Sequence, residues 1–150
     1  MTIRYSTVGI VGTGAMGRGI AQIAAQAGST VQLFDLNPEA CRQAHAAISA
    51  QWDRLQDKGR IDAATADAYK TRLQTAASLG NLHNCDLVVE AAVERLDIKQ
   101  SLFAQLEDIV RPDAVLVTNT SSLSVTAIAA GLKRPAQFAG YHFFNPVPLM

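Results

Sequence analysis

The chain has 150 residues, 13 of them Lys or Arg and 13 Asp or Glu, so its formal charge is zero and nothing draws it onto nucleic acid or an anionic membrane. A chain of this size buries roughly 70% of its unfolded surface, enough for one domain with a substantial core. No apolar run approaches the ~20 residues that span a bilayer, no signal-peptide pattern opens the chain, and Cys41 and Cys85 show neither C-x-x-C nor zinc spacing, which together point to a cytoplasmic or matrix-type protein with reduced thiols.

Residues 7–12 form an apolar run ending in glycine, and residues 15–27 carry Ile20, Ile23, Ala24 and Ala27 at helical spacing. Strand, tight turn and helix follow in that order. Gly28 stands where a left-handed helix cap is needed, and residues 31–34 make a second strand ending at Asp35. Between Asn37 and Thr75 runs a long helical stretch, with Ala44, Ile48, Trp52 and Leu55 on one stripe and Ala66, Tyr69 and Leu73 on another. Lys58-Gly59-Arg60 divides it, Asn37 and Asp62 are the predicted N-caps, and Pro38 fits the first helical position. The expectation is a helical hairpin over about residues 38–74, inserted where a short crossover would serve.

Residues 86–90 are an apolar, β-branched strand, and Ile98, Leu102, Leu106 and Ile109 mark an amphipathic helix. Residues 115–117 and 138–141 supply further strands, with Ser122 or Ser124 capping a short helix over 125–130 between them. Apolar strands separated by helices predict an α/β fold with a Rossmann-like, doubly wound, mainly parallel sheet.

Gly12-x-Gly14-x-x-Gly17 closes the first strand and opens the first helix. In that context Gly12 permits the turn, Gly14 admits a pyrophosphate close to the backbone, and Gly17 allows tight helix packing. The helix N-terminus then presents roughly half a positive charge to the phosphates. Asp35 lies 18 residues after Gly17, where a carboxylate accepts ribose hydroxyls and repels a 2′-phosphate, although an acid there can also merely begin the turn before the next helix. Leu36 and Asn37 offer no compensating arginine, so the predicted cofactor is NAD rather than NADP.

The remaining candidates admit two readings each from residue chemistry. Glu90, Glu94 and Lys99 follow a strand at the edge where ligands of open α/β sheets bind, yet they also fit a solvated helix start with Lys99 on an exposed face. Ser121 can aim a hydroxyl at a substrate oxygen or belong to a capping loop. His142, between a strand and Asn145-Pro146, should emerge at the same edge, where an imidazole can take a hydroxyl proton, although a histidine among phenylalanines is also a common structural residue. His45 and His83 read as surface residues.

Gly12-Thr13-Gly14-Ala15-Met16-Gly17, Asp86-Leu87-Val88-Val89-Glu90-Ala91, Asn119-Thr120-Ser121-Ser122-Leu123 and His142-Phe143-Phe144-Asn145-Pro146-Val147-Pro148, in that order, resemble the NAD-binding domain of L-3-hydroxyacyl-CoA dehydrogenases. The resemblance covers essentially the whole chain, and the inserted hairpin looks like that family's arm beside the coenzyme A site. It implies an oxidoreductase of fatty-acid or related β-oxidation, oxidising L-3-hydroxyacyl-CoA to 3-oxoacyl-CoA, with similarity to bacterial members acting on short or dicarboxylic acyl-CoA. By position it makes Gly12, Thr13, Gly14, Ala15, Met16 and Gly17 the pyrophosphate loop, Asp35 the adenosine ribose ligand, and Glu94, Lys99, Ser121 and Asn145 cofactor neighbours. His142 becomes the general base and Ser121 the residue holding the substrate oxygen. Lys58 matches a lysine that contacts coenzyme A, although the family's neighbouring serine is replaced by Gln51.

The resemblance also implies a glutamate beyond Met150 that pairs with His142, and a helical second domain that closes the cleft and forms a homodimer. The 150 residues by themselves are then expected to bind NAD with little or no turnover. Two alternatives stand beside this reading: a non-catalytic nucleotide-binding or interaction module, and a β-hydroxyacid dehydrogenase that acts on free acids, usually with a lysine base.

Overall fold

The computed structural model describes residues 5–92, 94–120 and 124–141. Six strands, β1 Thr7–Val11, β2 Thr30–Phe34, β3 Leu73–Thr75, β4 Leu87–Glu90, β5 Val115–Asn119 and β6 Phe138–Tyr141, form one sheet in the order β3-β2-β1-β4-β5-β6. All five neighbouring pairs are parallel, so each connection must cross a face of the sheet. The crossings use α1 Ala15–Gln26, the pair α2 Pro38–Asp57 and α3 Ala63–Arg72, the short 3-10 turn Leu79–Leu82 between β3 and β4, α4 Leu96–Ile109 and α5 Val125–Ala129. The chain works outward from β1 to β3 and then returns to β4 on the other side, which makes the β1/β4 boundary the topological switch point.

Strand side chains alternate between faces, and the core divides accordingly. Val8, Ile10, Val31, Leu33, Val89 and Val117 pack with Ile20, Ala21, Ala25, Ala44, Ile48 and Trp52 of α1 and α2. Their neighbours in sequence, Val11, Phe34, Val88 and Leu116, point the other way and pack with Phe103, Leu106 and Ile128 of α4 and α5. Both faces are covered, as a parallel sheet requires.

Local chemistry sets the helix boundaries. Asn37 accepts the amides of Glu39 and Ala40 at the start of α2, with Pro38 beside it, and Asp62 and Ser124 cap α3 and α5 through the amides of Thr65 and Ala127. Gly28 takes φ +110° just beyond α1, in the region that a Cβ disfavours. The hairpin is tied down on its inner side: the Trp52 indole N–H donates to Gln26 Oε1 at 3.0 Å and Arg72 Nη1 to the Ala25 carbonyl at 2.9 Å.

Four details depart from the sequence reading. Leu73 and Gln74, expected at the end of the hairpin, belong with Thr75 to β3, where Leu73 pairs with Val31; three residues are too few to display a strand period. In α1 the buried positions are Gly17, Gly19, Ile20, Ala21, Gln22 and Ala25, with Ile23 and Ala24 only half-buried, while Ala27 lies past the helix and exposed. The buried stripe of α4 is Lys99, Phe103, Leu106 and Glu107, rotated from the expected one, so that Ile98, Leu102 and Ile109 are only half-buried. His45 is half-buried rather than superficial, its Nε2–H donating to the Leu73 carbonyl at 3.1 Å. His83 is exposed.

Candidate functional site

Strand register brings the motif residues to one edge. Val11 stands opposite both Phe34 and Glu90, Glu90 opposite Thr118, and Asn119 opposite Tyr141, so the carboxyl ends of five strands finish nearly level. Gly12, Asp35, Ala91 and Thr120 leave that edge side by side.

Gly12 adopts φ +102°, its amide donating to the Phe34 carbonyl at 2.9 Å, and a Cβ there would lie 2.6 Å from the Ala91 oxygen. A Cβ on Gly17 would lie 1.9 Å from the Gly12 oxygen, so the loop closes only with glycine at both positions. Gly14 differs, because a Cβ there meets nothing within 4 Å. It is the N-cap of α1, where no side chain caps the helix and no acid stands in the first turn. The helix therefore opens onto free space with its amide end uncovered, which is the arrangement a pyrophosphate needs. Ala15 is exposed there, Met16 packs back onto the core, and Arg18 Nε braces the loop by donating to the Thr13 carbonyl at 3.1 Å.

Asp35 faces this loop across the β1/β2 boundary. Its Oδ2 accepts the Thr13 amide at 3.0 Å and the Thr13 hydroxyl at 2.7 Å, and its Oδ1 accepts the Asn37 amide at 2.9 Å. Partial burial pushes the carboxyl up, but these bonds, the Asn37 amide foremost, outweigh it and hold the group below the usual carboxylate range. A carboxylate offers about four lone-pair sites, so the free acceptor capacity is on Oδ1. Asp35 can take one ribose hydroxyl as it stands, and a second only if the Thr13 hydroxyl turns away. That lock was not read from the sequence, where Thr13 figured only as a loop member.

Beyond the switch point the structure overturns one alternative. Lys99 does not lie on an exposed face: it is 1% exposed, its Nζ 2.7 Å from Glu90 Oε1 and 3.3 Å from the half-exposed Glu94. Glu90 is fully buried and also accepts the Thr118 hydroxyl at 2.5 Å, while Glu94 accepts the Thr120 hydroxyl at 2.7 Å. Glu94 and Lys99 are thus joined at the edge where they were expected. Thr118 was missed, its only sequence mark being a hydroxyl directly after the apolar run of β5.

Lys58 is not brought to this edge. It is the exposed C-cap of α2, a helix whose 20 residues extend about 30 Å away from Asn37. Ser121, Asn145 and His142 lie outside the described residues. Among the described residues no group of three His, Cys, Asp or Glu side chains could hold a metal ion, and no helix is long and apolar enough to cross a membrane. Cys41 and Cys85 are free and buried.

A glycine loop at the switch point, an uncapped helix end and an acid at the end of β2 define a dinucleotide-binding domain of the doubly wound class. Residues 7–150 match the family described as 3-hydroxyacyl-CoA dehydrogenase, NAD binding domain, and the chain belongs to that family. Its cofactor is NAD. The chain is 45% identical over 150 residues to a 3-hydroxyadipyl-CoA dehydrogenase of Escherichia coli, covering all of this chain and 32% of that protein. It is 45% identical over 145 residues to a probable 3-hydroxybutyryl-CoA dehydrogenase of Deinococcus radiodurans, covering 95% of this chain and 51% of the relative. A crystal structure of a 3-hydroxybutyryl-CoA dehydrogenase from Escherichia coli superposes with a TM-score of 0.95 at 44% identity, over 99% of this chain and 31% of that one. The chain therefore spans about a third to a half of the proteins it resembles.

Proposed function

We propose that this chain is the cofactor half of an enzyme that interconverts L-3-hydroxyacyl-CoA and 3-oxoacyl-CoA in fatty-acid or related β-oxidation. The observation that carries the reading is the level finish of β5 and β6: their paired end residues Asn119 and Tyr141 stand on the edge that also holds the glycine loop, and in sequence Ser121 and His142 come shortly after them. The names of the relatives point to the acyl-CoA substrate class.

Bound NAD supplies the hydride acceptor. The chain's own residues do the rest: the 12–17 loop holds the pyrophosphate, Asp35 the adenosine ribose, and Glu94, Lys99 and Asn145 flank the far half of the site. The Ser121 hydroxyl holds the 3-oxygen of the substrate. His142 takes the proton of the 3-hydroxyl as the hydride leaves the same carbon, and returns it in the reverse direction; an imidazole titrates in the range this exchange needs. Lys58 contributes to the coenzyme A site from the hairpin. The complete enzyme adds a helical domain that closes the cleft and forms a homodimer, and it works in the cytoplasm.

Reduction of acetoacetyl-CoA by NADH tests the reading in the enzyme that carries this chain. His142→Ala should lower turnover by roughly a hundredfold or more, the usual range for a lost general base, with NADH affinity nearly unchanged. Undiminished turnover contradicts the assignment, and equal activity on free acetoacetate would transfer the enzyme to the free-acid class.

A further inference from the structure

Three polar side chains from three elements are withdrawn from water at the switch point: Glu90 at the end of β4, Thr118 on β5 and Lys99 on α4 are exposed by 0%, 0% and 1%. Burying a carboxylate and an ammonium together is costly even when they pair, and packed apolar residues would fill the same space at least as stably. The cost is offset by hydrogen bonds to both carboxylate oxygens. Oε1 accepts Lys99 Nζ at 2.7 Å and the Thr118 hydroxyl at 2.5 Å, while Oε2 accepts the Ala92 amide at 2.5 Å.

Each of those bonds leads toward the cofactor edge. The Ala91–Ala92 peptide is the surface on which Gly12 rests, since a Cβ on Gly12 would lie 2.6 Å from the Ala91 oxygen and 2.9 Å from the Ala92 nitrogen. Lys99 reaches on to Glu94 at 3.3 Å, and Glu94 to the Thr120 hydroxyl at 2.7 Å, directly before Ser121. One carboxylate therefore ties the turn after β4 to the end of β5, whereas Gly12, though it touches that turn, is held by its own amide bond to the Phe34 carbonyl at 2.9 Å. With Asp35 on β2 taking the adenosine, a dinucleotide lying across the switch point places its other half over β4 and β5.

We propose that Glu90 is a positioning residue for the nicotinamide half of NAD: the buried Glu90–Lys99–Thr118 cluster holds the β4 and β5 ends in the arrangement that half requires, while Asp35 and the uncapped helix hold the adenosine half without it. The proposal rests on the NAD-binding reading. Its test compares two ligands, NADH and ADP-ribose, the latter carrying the adenosine and diphosphate without the nicotinamide, by calorimetric titration of the chain and its variants. Glu90→Gln should weaken NADH by roughly tenfold, the loss expected when a buried charge-assisted contact is removed, and leave ADP-ribose within about twofold. Because Glu90→Gln leaves the Lys99 ammonium with less compensation, Thr118→Val, isosteric and uncharged, is measured beside it and should weaken NADH roughly threefold with ADP-ribose again unchanged. Unchanged NADH affinity in a folded Glu90→Gln protein, or equal losses for both ligands, overturns the proposal; if Glu90→Gln fails to fold, undiminished NADH affinity in Thr118→Val overturns it. An unsubstituted chain that binds neither ligand would instead remove the NAD-binding reading on which it stands.

Discussion

The three glycines of the loop are required by different things. Gly12 and Gly17 answer to the protein itself, through contacts of 2.6 Å and 1.9 Å that a Cβ would make with backbone oxygens, whereas Gly14 answers to nothing within 4 Å. A glycine that the fold does not need is explained by what approaches it from outside, which is how the motif was read from sequence. The pairing of Asp35 with Thr13 was beyond sequence reasoning, because a threonine in a turn has many local partners and only the β1/β2 register selects this one. Residue chemistry also sets a limit at alkaline pH. Burial, reinforced by the Asp86 charge and partly opposed by Arg111, pushes the Cys85 thiol up to about 11 from an ordinary 9.0. The folded state then holds a proton that the unfolded chain releases, so stability present below pH 9.0 should fall as pH rises through about 11, by on the order of 2 kcal/mol. Urea denaturation from about pH 8 to about pH 10.5 measures it: Cys85→Ala should flatten that decline, and an identical slope in both proteins would contradict the assignment.

Elements were legible where their signals are local. The N-caps Asn37, Asp62 and Ser124 and the hairpin stripe through Ala44, Ile48 and Trp52 stand as expected, because capping oxygens and 3.6-residue periodicity are written within a few positions. β3 was not, since a three-residue edge strand is defined only by its pairing with Val31 to Leu33. The rotation of α4 has a related cause. Charged residues are almost never fully buried unless paired, so the expected stripe held apolar residues alone; Lys99 and Glu107 are buried because their partners come from β4 and from the turn at Lys133 and Arg134. At this scale Trp52 gives the decisive measurement. It is 0% exposed, tilted against Tyr69 at a ring separation of 5.5 Å and bonded to Gln26, so it attaches the hairpin to α1. Trp52→Ala should cost about 3–5 kcal/mol in urea denaturation. A loss below about 1 kcal/mol would mean that the hairpin is not part of the cooperative core.

For the molecule as a whole, the doubly wound plan followed from the alternation of apolar strands and helices, and the strand order places the switch point beside the glycine loop. The substrate side was legible only as motifs. Ser121, His142 and Asn145 are read from their place after β5 and β6, and their roles belong to the proposed activity. The cofactor class is where sequence, fold and family agree, and the central proposal stands on it: the dinucleotide lies with its diphosphate on the 12–17 loop and its adenosine ribose on Asp35. The groups that hydrogen-bond Asp35 are the Thr13 hydroxyl and amide and the Asn37 amide, which keep the carboxylate ionised at neutral pH without neutralising it. A 2′-phosphate placed there meets an uncompensated negative charge. Calorimetric titration of the chain with NADH and with NADPH tests this directly: saturable NADH binding should exceed NADPH affinity by at least about tenfold, whereas equal or tighter NADPH binding, or no saturable NADH binding, would contradict the account.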